Sequence, residues 1–70
     1  MRMKYVIFNN DDFIIMPNSM SHSDATKIGT PVSAGFCSIG KNGFSCYGES
    51  ISLNLKADKE DSFILNMSLE

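Results

Sequence analysis

Apolar positions in this chain fall into short runs separated by clusters of turn-forming residues. Lys4 to Phe8 and Phe13 to Met16 are β-branched or aromatic runs, and Asn9-Asn10-Asp11-Asp12 lies between them, which predicts a β-hairpin. Both sides of the first run are apolar, Tyr5 and Ile7 on one and Val6 and Phe8 on the other, as expected of a strand covered on two faces. Pro17 ends the second strand because it has no N–H to give to a ladder.

Ser21 then opens a helix. Its hydroxyl can cap the amide of Asp24, Asp24 can reach back, and Met20 stands where a hydrophobic staple would meet Ala25. Gly29 and Pro31 stop it, so the helix runs from about His22 to Ile28, with Ala25 and Ile28 on its buried side. Pro31 to Ile39 and Phe44 to Leu55 flank Gly40-Lys41-Asn42-Gly43, and the Asn-Gly pair predicts a second hairpin with a type I′ turn. That turn sets Ile39 opposite Cys46, Phe36 opposite Glu49 and Ala34 opposite Ile51, leaving Cys37 and Cys46 diagonal to each other. One face, here face A, then carries Val32, Ala34, Phe36, Tyr47, Glu49, Ile51, Leu53 and Leu55. The other, face B, is apolar at the tip through Cys37, Ile39, Phe44 and Cys46, and small and flat at the base through Ser33, Gly35, Gly48, Ser50 and Ser52. Two differently directed apolar patches require either a bulge near Gly48 or a second surface against face B.

The tail reads two ways. Asp58 is a candidate N-cap for a short C-terminal helix, whereas Phe63, Leu65, Met67 and Leu69 alternate as in a strand; the capping signal favours the helix. The expected fold is therefore a single α+β domain over residues 1–70, a ββαββ arrangement of two hairpins with a helix between them and a short C-terminal helix or extra strand.

Composition narrows the function classes. Seventy residues bury a small core, so a partner subunit would add stability and a homo-oligomer is expected. No run approaches a membrane span, and the apolar part of the N-terminal stretch is too short for a signal peptide, which implies a cytoplasmic setting without membrane partners. The net charge is −2 and the six basic residues are scattered, so nucleic-acid binding is disfavoured.

His22 is the one histidine; with Ser21, Ser23 and Asp24 on the same helical turn it cannot converge on one reacting atom. It is expected to be exposed or to contact a ligand. Cys37 and Cys46 lack zinc-ligand spacing and read as reduced, buried thiols. Glu49 interrupts an apolar face beside Tyr47, where a buried carboxylate would need a donor or a ligand. No catalytic residue, metal or cofactor is expected.

Met3-Lys4-Tyr5-Val6-Ile7, Ser21-His22-Ser23, Ser33-Ala34-Gly35-Phe36-Cys37 and Tyr47-Gly48-Glu49-Ser50-Ile51-Ser52-Leu53 together resemble a group of small, uncharacterised proteins encoded by phages and prophages. The resemblance implies a phage accessory product acting in the host cytoplasm, of the kind that inhibits a host defence protein or sequesters a nucleotide signal. Two expectations follow. In the first, the chain is a non-enzymatic protein that captures a host protein, with Cys37, Ile39, Phe44 and Cys46 as its partner or oligomer interface. In the alternative, it is a small-molecule or nucleotide sponge using the helix start, with Ser21, His22 and Ser23 near Tyr47 and Glu49.

Overall fold

The fold is given by a computed structural model, which describes residues 2–67. Its central element is β1 (Arg2–Phe8), in which Tyr5, Val6, Ile7 and Phe8 are all buried. A strand apolar on both sides needs a covering layer on each face, and β1 has both. β2 (Phe13–Met16) pairs antiparallel along one edge, completing the expected first hairpin. β3 (Pro31–Gly40) pairs along the other edge and β4 (Gly43–Tyr47) follows it, giving the order β2-β1-β3-β4. β5 (Glu49–Ser50) and β6 (Leu55–Lys56) form a separate two-stranded ribbon. The molecule is a small antiparallel sheet with few short helices, a compact α+β fold. Among the described residues the two expected hairpins flank the helix, and the short β5–β6 ribbon is added before α1.

Face A is covered by a 3-10 helix, His22–Lys27, whose start carries the expected capping box between Ser21 and Asp24. Its sequence is short and polar, and only His22 and Ala25 are buried, so it forms a tight polar turn instead of an α-helix. Ile28, expected on its buried side, is exposed. Ala25 joins Val6, Phe8, Met16 and Ala34 in one core cluster, with Ile14, Leu53 and Leu55 against it.

Face B is covered by α1 (Asp61–Met67). The helical reading of the tail is correct over these residues, with Leu65 fully buried and Phe63 and Met67 turned outward; the alternation at Leu69 lies outside the described residues. Asp58 lies three residues before the helix start and accepts the Glu60 amide at 3.0 Å. Leu65 packs with Tyr5, Ile7 and Cys37, and with the partly buried Phe44 and Cys46. Cys37, Phe44 and Cys46 of the face B tip are therefore packed under α1, while Ile39 is exposed.

Asp61 holds α1 in place. Its carboxylate is buried, accepts hydrogen bonds from the Tyr5 hydroxyl and the Ser33 hydroxyl (3.0 Å), and also accepts the Asp58 amide (2.9 Å). Three donors compensate the desolvation of this buried carboxylate. Burial and the Asp61 hydrogen bond push the Tyr5 phenol well above its ordinary value, and burial pushes the Cys37 thiol up to about 11. Groups raised on folding contribute stability that is fully present below their unfolded values and fades as pH climbs through the folded ones. Denaturant midpoints are thus expected to be level through neutral pH and to fall steadily above about pH 9, where an unfolded thiol ionises. Substituting Cys37 by serine should remove the early part of that fall.

The second hairpin differs from expectation in register. Gly40 pairs with Gly43, Ile39 with Phe44, Cys37 with Cys46 and Phe36 with Tyr47, a shift of two residues that keeps every side chain on its expected face but sets the two cysteines directly opposite. The cause is the turn. A type I′ turn needs positive φ at two positions, yet Lys41 and Asn42 are not among the positive-φ residues, and Gly43 alone takes φ 100°. This is a type I turn closed by a left-handed glycine, which asks nothing unusual of Asn42. β4 then ends at Tyr47, and the continuous strand expected to reach Leu55 is broken at Gly48, so the expected Phe36–Glu49 and Ala34–Ile51 pairs do not form.

Candidate functional site

Alternation along β1 sends Arg2 and Lys4 to face A, and antiparallel pairing sets Lys4 opposite Phe36 and Phe36 opposite Tyr47. Beyond Val6 and Ala34 the 3-10 helix reaches this face through His22, which meets Phe36. The result is a groove of about 580 Å³ whose lining includes Arg2, Lys4, Ser21, His22, Phe36, Tyr47 and Glu49. Its volume lies within the ~300–1,000 Å³ usual for ligand sites.

The groove floor is aromatic. Phe36 and Tyr47 stack with ring centroids 6.4 Å apart and planes inclined by 30°, while His22 meets Phe36 edge-on at 5.6 Å. The Arg2 guanidinium lies over the Phe36 ring, 4.3 Å from its centroid. An aromatic face attracts a cation, so the guanidinium is held flat above the floor. Lys4 extends along the same side, its ammonium donating to the Met20 carbonyl at 2.6 Å. Two cations converge here in a chain whose net charge is −2.

His22 is buried, contrary to the expectation of exposure, because its ring fills the corner between the helix start and Phe36. Its Nε2 lies 2.7 Å from the Gly35 carbonyl oxygen, which fixes the ring and ties the helix to β3. Glu49 is exposed at the groove rim, in β5 opposite Lys56, and so needs no buried donor.

Of the ligand residues expected from the sequence, Ser21, His22, Tyr47 and Glu49 do meet at this groove. Ser23 does not line it; its hydroxyl pairs with that of Ser21 at 2.9 Å within the cap. Of the expected interface residues, Cys37 is fully buried and Phe44 and Cys46 pack beneath α1, so the helix takes the place expected for a partner, while Ile39 remains exposed. Arg2, Lys4 and Phe36 were not expected at a site. The strand alternation of β1 would have aligned Arg2 and Lys4, but their meeting with Phe36 depends on the long-range β1–β3 pairing.

Three other clefts lack this combination. One by the first turn contains Phe8 and Phe13 but only acidic charges, Asp11 and Asp12; one beside β6 is lined by Glu49, Lys56 and Asp58; the third gathers Asp11, Asp58, Glu60 and Asp61. Among the described residues no three or more His, Cys, Asp or Glu side chains are placed so that they could hold one metal ion, and no helix is long and apolar enough to cross a membrane. No protein-family model, curated protein or solved structure matches the chain.

Proposed function

We propose that this chain is a non-enzymatic binding protein whose working surface is the face A groove, and that its ligand is a small, planar, anionic molecule of the nucleotide class. The observation that carries this reading is the Arg2 guanidinium 4.3 Å above Phe36, in a groove shared with Tyr47 and Lys4. Stacking of a base on an aromatic ring contributes ~1–3 kcal/mol and tolerates any base. Arginine adds a planar fork of donors matched to phosphate oxygens, and lysine a second positive charge.

Glu49 sets the direction of binding. Its carboxylate repels phosphate but accepts from an exocyclic amine or a ribose hydroxyl, so the base lies toward Tyr47 and Glu49 and the phosphate toward Arg2 and Lys4. The six-residue 3-10 helix contributes His22 as a wall of the groove.

This reading favours sequestration of a nucleotide signal, the sponge form of a phage accessory product, over capture of a host protein by the hairpin tip. The tip loses Cys37, Phe44 and Cys46 to the packing of α1. Catalysis is not favoured either, since the one histidine is tied by Nε2 to a backbone carbonyl.

Calorimetric titration with a panel of linear and cyclic ribonucleotides tests the proposal. Tyr47 is 42 % exposed, so Tyr47→Ala should keep the fold while removing the stacking surface. Tyr47→Ala and Arg2→Ala are each expected to weaken binding about tenfold or more, equivalent to 1.4 kcal/mol. Undiminished affinity in Tyr47→Ala would contradict the groove as the binding site.

A further inference from the structure

The two outer edges of the sheet are treated differently. On β4 the amides of Phe44 and Cys46 point away from β3, and α1 meets both. The Asn66 Oδ1 accepts from Phe44 N–H at 2.6 Å and the Ser62 hydroxyl oxygen accepts from Cys46 N–H at 2.8 Å. Asn66 Nδ2 also donates to the Phe44 carbonyl at 3.2 Å, so a side-chain amide imitates a neighbouring strand. This edge is sealed.

Among the described residues β2 has no such cover. Hydrogen bonding alternates along an antiparallel pair, and the bond from Phe8 N–H to the Asp12 carbonyl at 2.8 Å sets the phase of this hairpin. Ile14 and Met16 therefore turn their backbone groups toward β1, whereas Phe13 and Ile15 turn theirs outward. β2 is the end strand, and among the described residues no element continues the sheet beyond it. Its residues Phe13, Ile14, Ile15 and Met16 include no charge and no proline, two of the usual devices that deter edge pairing.

We infer that β2 pairs antiparallel with β2 of a second copy of this chain, about a two-fold axis at Ile14. The edge is self-complementary in this register. Phe13 faces the partner's Ile15 and Ile15 faces the partner's Phe13, each pair exchanging both backbone hydrogen bonds, with Ile14 against the partner's Ile14 on the other face. Aromatic–β-branched and β-branched cross-strand pairs of this kind stabilise an antiparallel ladder.

Charge supports the same arrangement. The acidic turn with Asp11 and Asp12 at one end of β2 comes to lie beside the partner's Met16 and Pro17, and the partner's Lys4 stands opposite that Met16. A parallel pairing would instead bring the two acidic turns together. Pro17, at an outward-turned position without an N–H, ends the ladder and keeps the interface short. The dimer is consequently of modest affinity and forms with rising concentration.

Sedimentation equilibrium from micromolar to millimolar protein is expected to show a monomer–dimer equilibrium. Amide exchange at Phe13 and Ile15 is expected to slow as concentration rises, while Ile14, already bonded to β1, stays constant. Ile15→Pro removes an outward amide without touching the β1 ladder, and should weaken the dimer at least about tenfold, or 1.4 kcal/mol, with circular dichroism reporting the fold. If that variant does not fold, exchange in the unaltered protein decides. A monomer across the whole range, or a dimer in which the Phe13 and Ile15 amides exchange at an unchanged rate, would overturn the inference.

Discussion

Asp61→Ala is expected to leave the protein largely unfolded at physiological temperature. The substitution removes the acceptor of the Tyr5 and Ser33 hydroxyls, two groups held in the interior between α1 and the sheet, and frees the Asp58 amide. Each buried hydroxyl left without a partner costs about 1–3 kcal/mol, so the two together cost roughly 2–6 kcal/mol. A domain of 70 residues has a total stability of roughly 3.5–10 kcal/mol at ~0.05–0.15 kcal/mol per residue. Asp61→Asn, which keeps the shape and one carbonyl acceptor, should lose less than half as much. Thermal and denaturant unfolding of the two variants distinguish a loss of hydrogen-bond acceptors from a loss of volume; equal destabilisation would argue against the network.

Gly35→Ala is the second large effect. A β-carbon there would stand 2.6 Å from the Tyr47 carbonyl oxygen and 3.3 Å from the Gly48 carbonyl carbon, both backbone atoms with no flexible end to swing away. β3 and β4 must separate locally, at a cost of about 1–3 kcal/mol typical of overpacking. The same displacement moves Tyr47 away from Phe36 and shifts the carbonyl that holds His22. Gly35→Ala is therefore expected to lower both the unfolding midpoint and the affinity for a groove ligand, although Gly35 itself does not line the groove. A destabilised variant that binds ligand with unchanged affinity would show that the aromatic floor does not depend on this close approach.

What could be read from the sequence was local. The two-sided apolarity of Tyr5 to Phe8 marks β1 as the centre of the sheet, and the Ser21–Asp24 capping box marks the helix start, because each depends on residues a few positions apart. The register of the second hairpin was not legible at the turn: Lys41 and Asn42 keep negative φ, and glycine at the third position shifts the pairing by two. Burial of His22 rests on Gly35 and Phe36, more than ten residues away, and nothing near position 22 announces it. Asp61 looks like an ordinary acidic residue at a helix start until Tyr5 and Ser33 are placed beneath it. The same limit applies to the groove. Tyr47 and Glu49 stood out in their strand, but the cations that give it chemical character come from the first strand and reach it only through the β1–β3 pairing.

The groove stands at the centre of the functional proposal, and a nuclear magnetic resonance titration with ribonucleotides tests it most directly. Saturable chemical-shift changes are expected at Arg2, Lys4, Phe36, Tyr47 and Glu49, with the Tyr47 ring protons moving upfield as a base stacks on them, and with α1 undisturbed. Absence of shifts at millimolar nucleotide, or saturable shifts confined to α1 and the hairpin tip, would contradict the groove as a nucleotide site.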